Sequence, residues 1–337
     1  MTTTRPTFEG VKQAAERLKP HMAPTPLYRS ETLSRALDAD VWLKVETATP
    51  IASFKLRGAL NHLLVAQPQA PVKSAVTSST GNHGQGVAYA ARLLGVPADI
   101  FLPDGCPVVK QTMIKLFGAT LHVGGVDIDD AKERARKFCT ERGGSFVDDG
   151  ESARLIEGAG TIGHEIGAAL EDVDYLFAPM GSGSLVAGVA IGLKGAQPRT
   201  KVIAVTSAGA PAMVESFRAK CAVERPVNSL AESIVCRVPA ATALTAVLRH
   251  VDDAVLVSDR DLLAALNTLL TWGHVLVEPG SAAGLAGAWT RRKELRGKRV
   301  VLVLTGANVD AEMIGRALFV PALFDPTLIP PSHKPSP

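Results

Sequence analysis

Ser53-Phe54-Lys55-Leu56-Arg57-Gly58-Ala59 is the stretch on which the reading of this chain turns. Residues 41–46 before it alternate apolar and polar side chains, as a half-buried strand does, and Pro50 lies in the loop between. Residues 59–66 have a helical pattern, which sets Lys55 in the first turn of a helix, between Phe54 and Leu56. An amine held among apolar groups loses hydration of its charged form and is freed as a nucleophile, as Schiff-base chemistry with an aldehyde requires. Taken alone, the stretch also describes a surface lysine that opens a helix, so the rest of the chain has to decide.

Outward from it, strands and helices alternate. Residues 73–77, 99–102 and 120–123 read as strands, and 84–94, 108–116 and 129–142 as helices. A second series starts near residue 150, with strands over 175–178, 202–206 and 300–304 and an edge strand over 254–257. Its helices cover 185–193, 210–218, 281–292 and 311–318, and Ser258 or Asp259 caps one that runs to Thr271. This alternation predicts an α/β fold whose parallel sheets are covered on both faces. Ahead of it, 9–18 and 31–37 have helical spacing, and 21–27 is a proline-stiffened connector. The 337 residues suffice for about two domains.

Hydrophobic residues at 46% and charged ones at 20% give the balance of a soluble globular protein. A net charge of +3, evenly spread, offers no surface for nucleic acid. No run reaches the roughly 18 apolar residues of a membrane span, and the first residues lack the apolar segment of a signal peptide. Cys106, Cys139, Cys221 and Cys236 are far apart and form no CxxC pair, which argues against a zinc site or a disulfide framework. A reducing cytoplasm is the expected location.

Three strand-end loops carry the remaining chemistry. Ser79-Thr80-Gly81-Asn82-His83 precedes a helix, where hydroxyls and main-chain N–H groups make an anion site suited to a carboxylate. Asn82 adds an amide for a phenolate-like oxygen. Gly181-Ser182-Gly183-Ser184-Leu185 is a glycine-rich turn whose N–H groups can cradle a phosphate. A dinucleotide fold competes for this turn, but Val186 stands where its third glycine belongs, and the strand 202–206 has no acid for a ribose. Thr305, in Leu304-Thr305-Gly306-Ala307-Asn308, ends the most apolar strand, at the edge where open parallel sheets bind ligands.

In this order, from about residue 24 to 317, these parts resemble the fold-type II pyridoxal-phosphate enzymes, and within them the threonine/serine dehydratase and serine racemase branch. The resemblance implies a tryptophan synthase β-like fold of two open, twisted parallel-sheet domains with pyridoxal 5'-phosphate in the cleft between them. It implies a large domain of 1–50 and 150–325 and a small domain of 51–149, with Lys55 near the boundary. The last residues, 326–337, are proline-rich and expected to be a disordered tail. The implied roles are Lys55 for the Schiff base, Phe54 beside the ring and Asn82 on the 3'-oxygen. Residues Gly181, Ser182, Gly183, Ser184 and Leu185 fall to the phosphate, and Thr305 to the pyridine nitrogen. Ser79, Thr80, Gly81, Asn82 and His83 are left for the substrate carboxylate. Glu278 matches a family Glu-Pro turn near the cofactor, with a direct and a structural role both open.

The chain also departs from these relatives. Ser182 and Ser184 interrupt a loop that is often four glycines, and Gly158-Ala159-Gly160-Thr161 replaces the common Gly-Gln-Gly-Thr. Racemase-like members carry acidic metal ligands after the strand that follows the phosphate loop; residues 206–212 here have no carboxylate, so no metal is expected. The expected function is β-elimination of water from a β-hydroxy-α-amino acid of threonine, serine or phenylserine type, giving a 2-oxo acid and ammonia. An amino-acid racemase and a non-catalytic cofactor-binding protein are the alternatives, and a homodimer is left open.

Overall fold

A computed structural model describes residues 5–68 and 72–328. Ten strands and thirteen helices follow one another along the described residues. The first part holds α1 (Phe8–Leu18), β1 (Leu27–Arg29), α2 (Glu31–Leu37), β2 (Asp40–Val45) and α3 (Lys55–Ala66). Next come β3 (Ala75–Ser78), α4 (Asn82–Leu93), β4 (Ala98–Leu102), α5 (Val108–Leu116), β5 (Thr120–Val123), α6 (Ile128–Arg142) and β6 (Ser145–Phe146). They are followed by α7 (Ala153–Ala169), β7 (Tyr175–Pro179), α8 (Ser184–Ala196), β8 (Lys201–Ser207), α9 (Ala212–Ala219) and α10 (Ala241–His250). The last are β9 (Asp253–Val257), α11 (Asp259–Thr271), α12 (Ala283–Thr290), β10 (Arg299–Leu304) and α13 (Ala311–Leu318).

Two sheets result. The larger has the order β1-β2-β10-β7-β8-β9, and the smaller β5-β4-β3-β6. All neighbours pair in parallel except β1, which runs antiparallel to β2 and starts at the last residue of the expected connector. β10 shows why the large sheet has no wet face: Val301 and Val303 enter one apolar core, Val300, Leu302 and Leu304 the other. The small sheet packs α3 and α4 on one side through Leu56, Leu60, Val87 and Ile100, and α6 on the other through Ala131 and Ala135.

Two helices of the second series were not legible in its sequence. α7 carries Gly158, Gly160, Gly163 and Gly167, which by propensity speak against a helix. It forms because it must lie close to α8: a Cβ at Gly188 would come 2.2 Å from Ile156 O, and one at Gly163 2.1 Å from Val189 O. Backbone contact of this kind outweighs the intrinsic penalty. α10 is short and joins the same core through Leu244 and Val247. The expected tail starts in a 3-10 turn, Pro326–Leu328, and not in disorder; 329–337 lie outside the described residues, as do 69–71. Among the described residues no helix is long and apolar enough to cross a membrane.

Candidate active site

Lys55 starts its helix at the carboxyl edge of the large sheet because the segment before it is tied there. Phe54 N–H donates to Thr305 O at 3.0 Å, Ala307 N–H to Ala52 O at 2.9 Å, and Ser53 faces Gly306 across an isolated antiparallel bridge. Ala52 has φ 51°, a left-handed position that costs an alanine on the order of 1 kcal/mol and that these bonds hold. Glycines let two helices close on the start of α3. A Cβ on Gly86 of α4 would stand 3.1 Å from the Lys55 carbonyl, and one on Gly158 of α7 2.6 Å from Arg57 O.

Two residues on, Arg57 is fully buried and spends its guanidinium on Glu46 (2.7 and 3.0 Å), Glu165 (2.6 and 2.9 Å), Thr161 (2.9 Å) and Thr25 (3.0 Å). Lys44 joins Glu165 at 2.5 Å, so two cations face two carboxylates. Breaking such a buried set on one side costs about 3–5 kcal/mol, and this one joins β2, α3 and α7 around the lysine.

The Lys55 amine itself is not walled by apolar groups alone. Its Nζ lies 2.5 Å from Asp149 Oδ2 and 5.1 Å from the centroid of the Phe54 ring, while Leu56 turns into the core. Burial works to raise the Asp149 carboxyl, but the Lys55 ammonium pulls it below the ordinary range. Asp149 was not among the residues read from the sequence. Its neighbour Asp148 bonds Lys132 and Arg136, and nothing local marks which of the pair turns inward.

His83 turns its side chain away from the main-chain N–H groups that open α4. Its ring is buried, with Nε2 2.9 Å from Val147 O; a carbonyl only accepts, so Nε2 carries the proton and Nδ1 presents a bare lone pair without a partner. Burial, more than Lys55, lowers its pKa against the pull of Asp149, so the ring is neutral. Phe54, Lys55, His83, Asp149 and Ser184 line one small space. Ser79, Thr80, Gly81 and Asn82 lie half-buried at the uncapped start of α4, and Ser79 Oγ accepts from Gly81 N–H at 3.3 Å.

Across that space stands the start of α8. Gly183 has φ 96°, and a Cβ there would meet Met213 Cε and Val247 Cγ2 at 2.8 Å, so only glycine fits. Gly181 approaches the Ile234 backbone equally closely, with 3.0 Å left for a Cβ. No side chain caps α8, which leaves its first N–H groups to a ligand; Ser182 and Ser184 hydroxyls lie 3.3 Å apart beside them. Leu185 anchors the turn in the core.

Thr305 is buried where β10 ends, its N–H on Ser281 Oγ at 2.7 Å. Beside it Glu278 accepts from Asn82 Nδ2 at 2.9 Å, and burial pushes its carboxyl up to about 7 against bonds from Ser233, Asn82 and the Asn308 main chain. Asn308 Nδ2 donates to Asn82 Oδ1 at 2.6 Å and to Ile51 O at 3.0 Å.

A lysine amine facing an uncapped helix start and a neutral, orphaned imidazole, at the carboxyl edge of an open α/β sheet, defines a site for a small phosphorylated aldehyde. The anion cradle and the amine are the two groups that pyridoxal phosphate needs, and both fit it. The comparisons agree. The family model described as pyridoxal-phosphate dependent enzyme matches residues 18–306, and the chain belongs to that family. It is 34% identical over 314 residues to the L-threonine ammonia-lyase of Thermotoga maritima, covering 93% of this chain and 78% of that one. Among solved structures it resembles the processed form of threonine deaminase isoform 2 from Solanum lycopersicum, with a TM-score of 0.86, 28% identity and coverage of 94% and 95%. Maize serine racemase gives a TM-score of 0.88 at 25% identity, covering 94% and 98%. The fold is thus the fold-type II arrangement, and the cofactor is pyridoxal phosphate.

Proposed function

We propose that this enzyme is an ammonia-lyase that removes water from a β-hydroxy-α-amino acid with an uncharged side chain, of threonine, serine or phenylserine type. The observation that carries the reading is the Lys55–Asp149 pair facing the start of α8, in a chain 34% identical to an L-threonine ammonia-lyase. The bound cofactor supplies the electron sink that makes the substrate Cα–H bond acidic.

Each residue has a task in this reading. The N–H groups of residues 184–186, with the Ser182 and Ser184 hydroxyls, hold the phosphate, and Thr305 meets the pyridine nitrogen. Asn82 donates to the 3'-oxygen, and Phe54 flanks the ring. Ser79, Thr80 and the main-chain N–H groups that open α4 hold the substrate carboxylate. Lys55 Nζ takes the Cα proton, and Asp149 balances the ammonium so formed. The β-hydroxyl takes up a proton and leaves as water, and hydrolysis of the product enamine yields a 2-oxo acid and ammonia. Glu278 has a supporting place behind Asn82. The cleft divides a large lobe, 1–50 and 150–325, from a small one, 51–149. In support, all strands of the four-stranded sheet lie between residues 75 and 146, though its core also draws in Leu18 and Leu155.

The test is to assay purified holoenzyme with threonine, serine and phenylserine in both threo and erythro forms. Release of 2-oxo acid and ammonia in equal amounts from at least one is expected. Binding of cofactor without turnover of any would leave a cofactor-binding protein.

A further inference from the structure

The site presents Asn82 in one orientation only, and the reason lies in two residues behind it. Ile51 O can only accept, so the Asn308 group facing it at 3.0 Å is an amino group. The same Nδ2 reaches Asn82 at 2.6 Å, which fixes the facing atom of Asn82 as its carbonyl oxygen. At the other end Asn82 Nδ2 stands 2.9 Å from a Glu278 oxygen, the group best able to accept. Both ends of the chain of bonds demand the same polarity.

We propose that Asn308 and Glu278 are positioning residues for Asn82, a relay that runs from Ile51 O through Asn308 to Asn82 and Glu278 and keeps the amino end of Asn82 over Gly306, beside Thr305. Gly306 makes room for this: a Cβ there would come 2.8 Å from Glu278 Oε1 and 3.2 Å from Asn82 Nδ2. With one Nδ2 hydrogen spent on Glu278, the second is left for a ligand oxygen. The site is then built to donate at that place, which suits an anionic oxygen on the ligand and disfavours a hydroxyl that must itself donate. The relay also spans the two sheets, since Asn82 opens α4 while Glu278 and Asn308 sit at the edge of the large one. Nothing in it is charged except Glu278; the further charge acting on that carboxyl is Lys55.

The inference rests on the reading of Asn82 as the 3'-oxygen partner, and its test separates the two by reversing the polarity of the relay. Asn308→Asp puts an acceptor against Ile51 O and Asn82 Oδ1, so Asn82 must turn its amino end towards residue 308 and its oxygen towards Glu278. Adding Glu278→Gln supplies a donor there and satisfies the reversed relay at both ends of Asn82, while Ile51 O is left without its donor. Both variants and the wild type are measured at about pH 8.5, above the Glu278 titration near 7. Asn308→Asp is expected to lower the melting temperature of the apoprotein and to weaken pyridoxal phosphate binding by about tenfold or more. The double variant is expected to recover part of the melting temperature lost in Asn308→Asp, the contact with Ile51 O staying unmade, but neither the affinity nor the position of the visible band of the bound cofactor. Recovery of the affinity and the band along with that part of the melting temperature would show that the orientation of Asn82 does not matter to the site, and no loss in Asn308→Asp, or no recovery of melting temperature in the double variant, would show that the relay does not exist. If the wild type binds no cofactor, the functional reading fails while the melting cycle still judges the relay.

Discussion

Lys55 is the one amine among the groups lining the small space beside Asp149 and Ser184, so its replacement has a sharp outcome. Lys55→Ala is expected to yield colourless protein that keeps no cofactor after borohydride treatment; a reducible link that survives would move the Schiff base to another residue. Glu278 gives a second test at this scale. Its folded value of about 7 lies above the ordinary 4.5, so folding favours the proton. Its contribution to stability is therefore greatest below pH 4.5, falls as the pH rises, and levels off above about 7, a loss of about 3 kcal/mol. Glu278→Gln cannot ionise, and the difference in melting temperature between variant and wild type should grow in favour of the variant across that range. A difference that stays flat with pH would mean the carboxyl is hydrated and ionises as in water. Both residues were visible in the sequence because each sits in a motif with its own chemistry. Asp149 and Asn308 were not: Asp149 meets Lys55 across 94 positions and Asn308 meets Asn82 across 226, and single letters in turns carry no sign of such pairings.

Elements were legible where burial writes a period and illegible where packing overrides propensity. The apolar run of β10 and the start of α11 announce themselves: of the two expected caps, Ser258 is the one that forms, in a capping box with Asp261. α7 hides behind its glycines, yet those glycines let α8 approach closely and so place the α8 start that is proposed to cradle the phosphate. Gly188→Ala would drive a methyl group to 2.2 Å from Ile156 O, where backbone cannot yield without parting the helices. A destabilisation of about 1–3 kcal/mol is expected, together with weaker retention of the cofactor. The contrast is Gly315→Ala in α13, which meets nothing within 4 Å and removes the entropy cost of a helical glycine. That change should stabilise by about 0.5–1 kcal/mol and leave cofactor binding alone. Similar melting temperatures for the two variants would show that α7 and α8 are not held at backbone contact.

At the scale of the whole molecule, two parallel sheets with helices on both faces follow from alternation alone, and the antiparallel β1 escaped because three residues among prolines give no period. What alternation cannot tell is which reaction the cleft between the sheets completes, and here two hydroxyls weigh. Thr305 is neutral and buried at the strand end; if it meets the pyridine nitrogen as proposed, a carboxylate in its place would hold a proton there and deepen the electron sink. Without that proton, the electron pair left at Cα is better discharged by expelling a β-hydroxyl than kept for a proton to return. The resemblance to the racemase branch implies that Thr80 stands opposite the lysine in the place of a serine; on that reading its methyl and stiffer χ1 make it the poorer proton donor to that face. Elimination is therefore expected to outrun racemisation. Incubating substrate in deuterated water, and following 2-oxo acid, residual enantiomer and Cα deuterium together, measures both at once. Formation of the opposite enantiomer faster than 2-oxo acid would overturn the lyase reading. Thr305→Asp carries the same logic to the residue responsible: it is expected to slow elimination and raise the share of Cα deuterium in recovered substrate, and an unchanged ratio would acquit the pyridine partner of setting the course of the reaction.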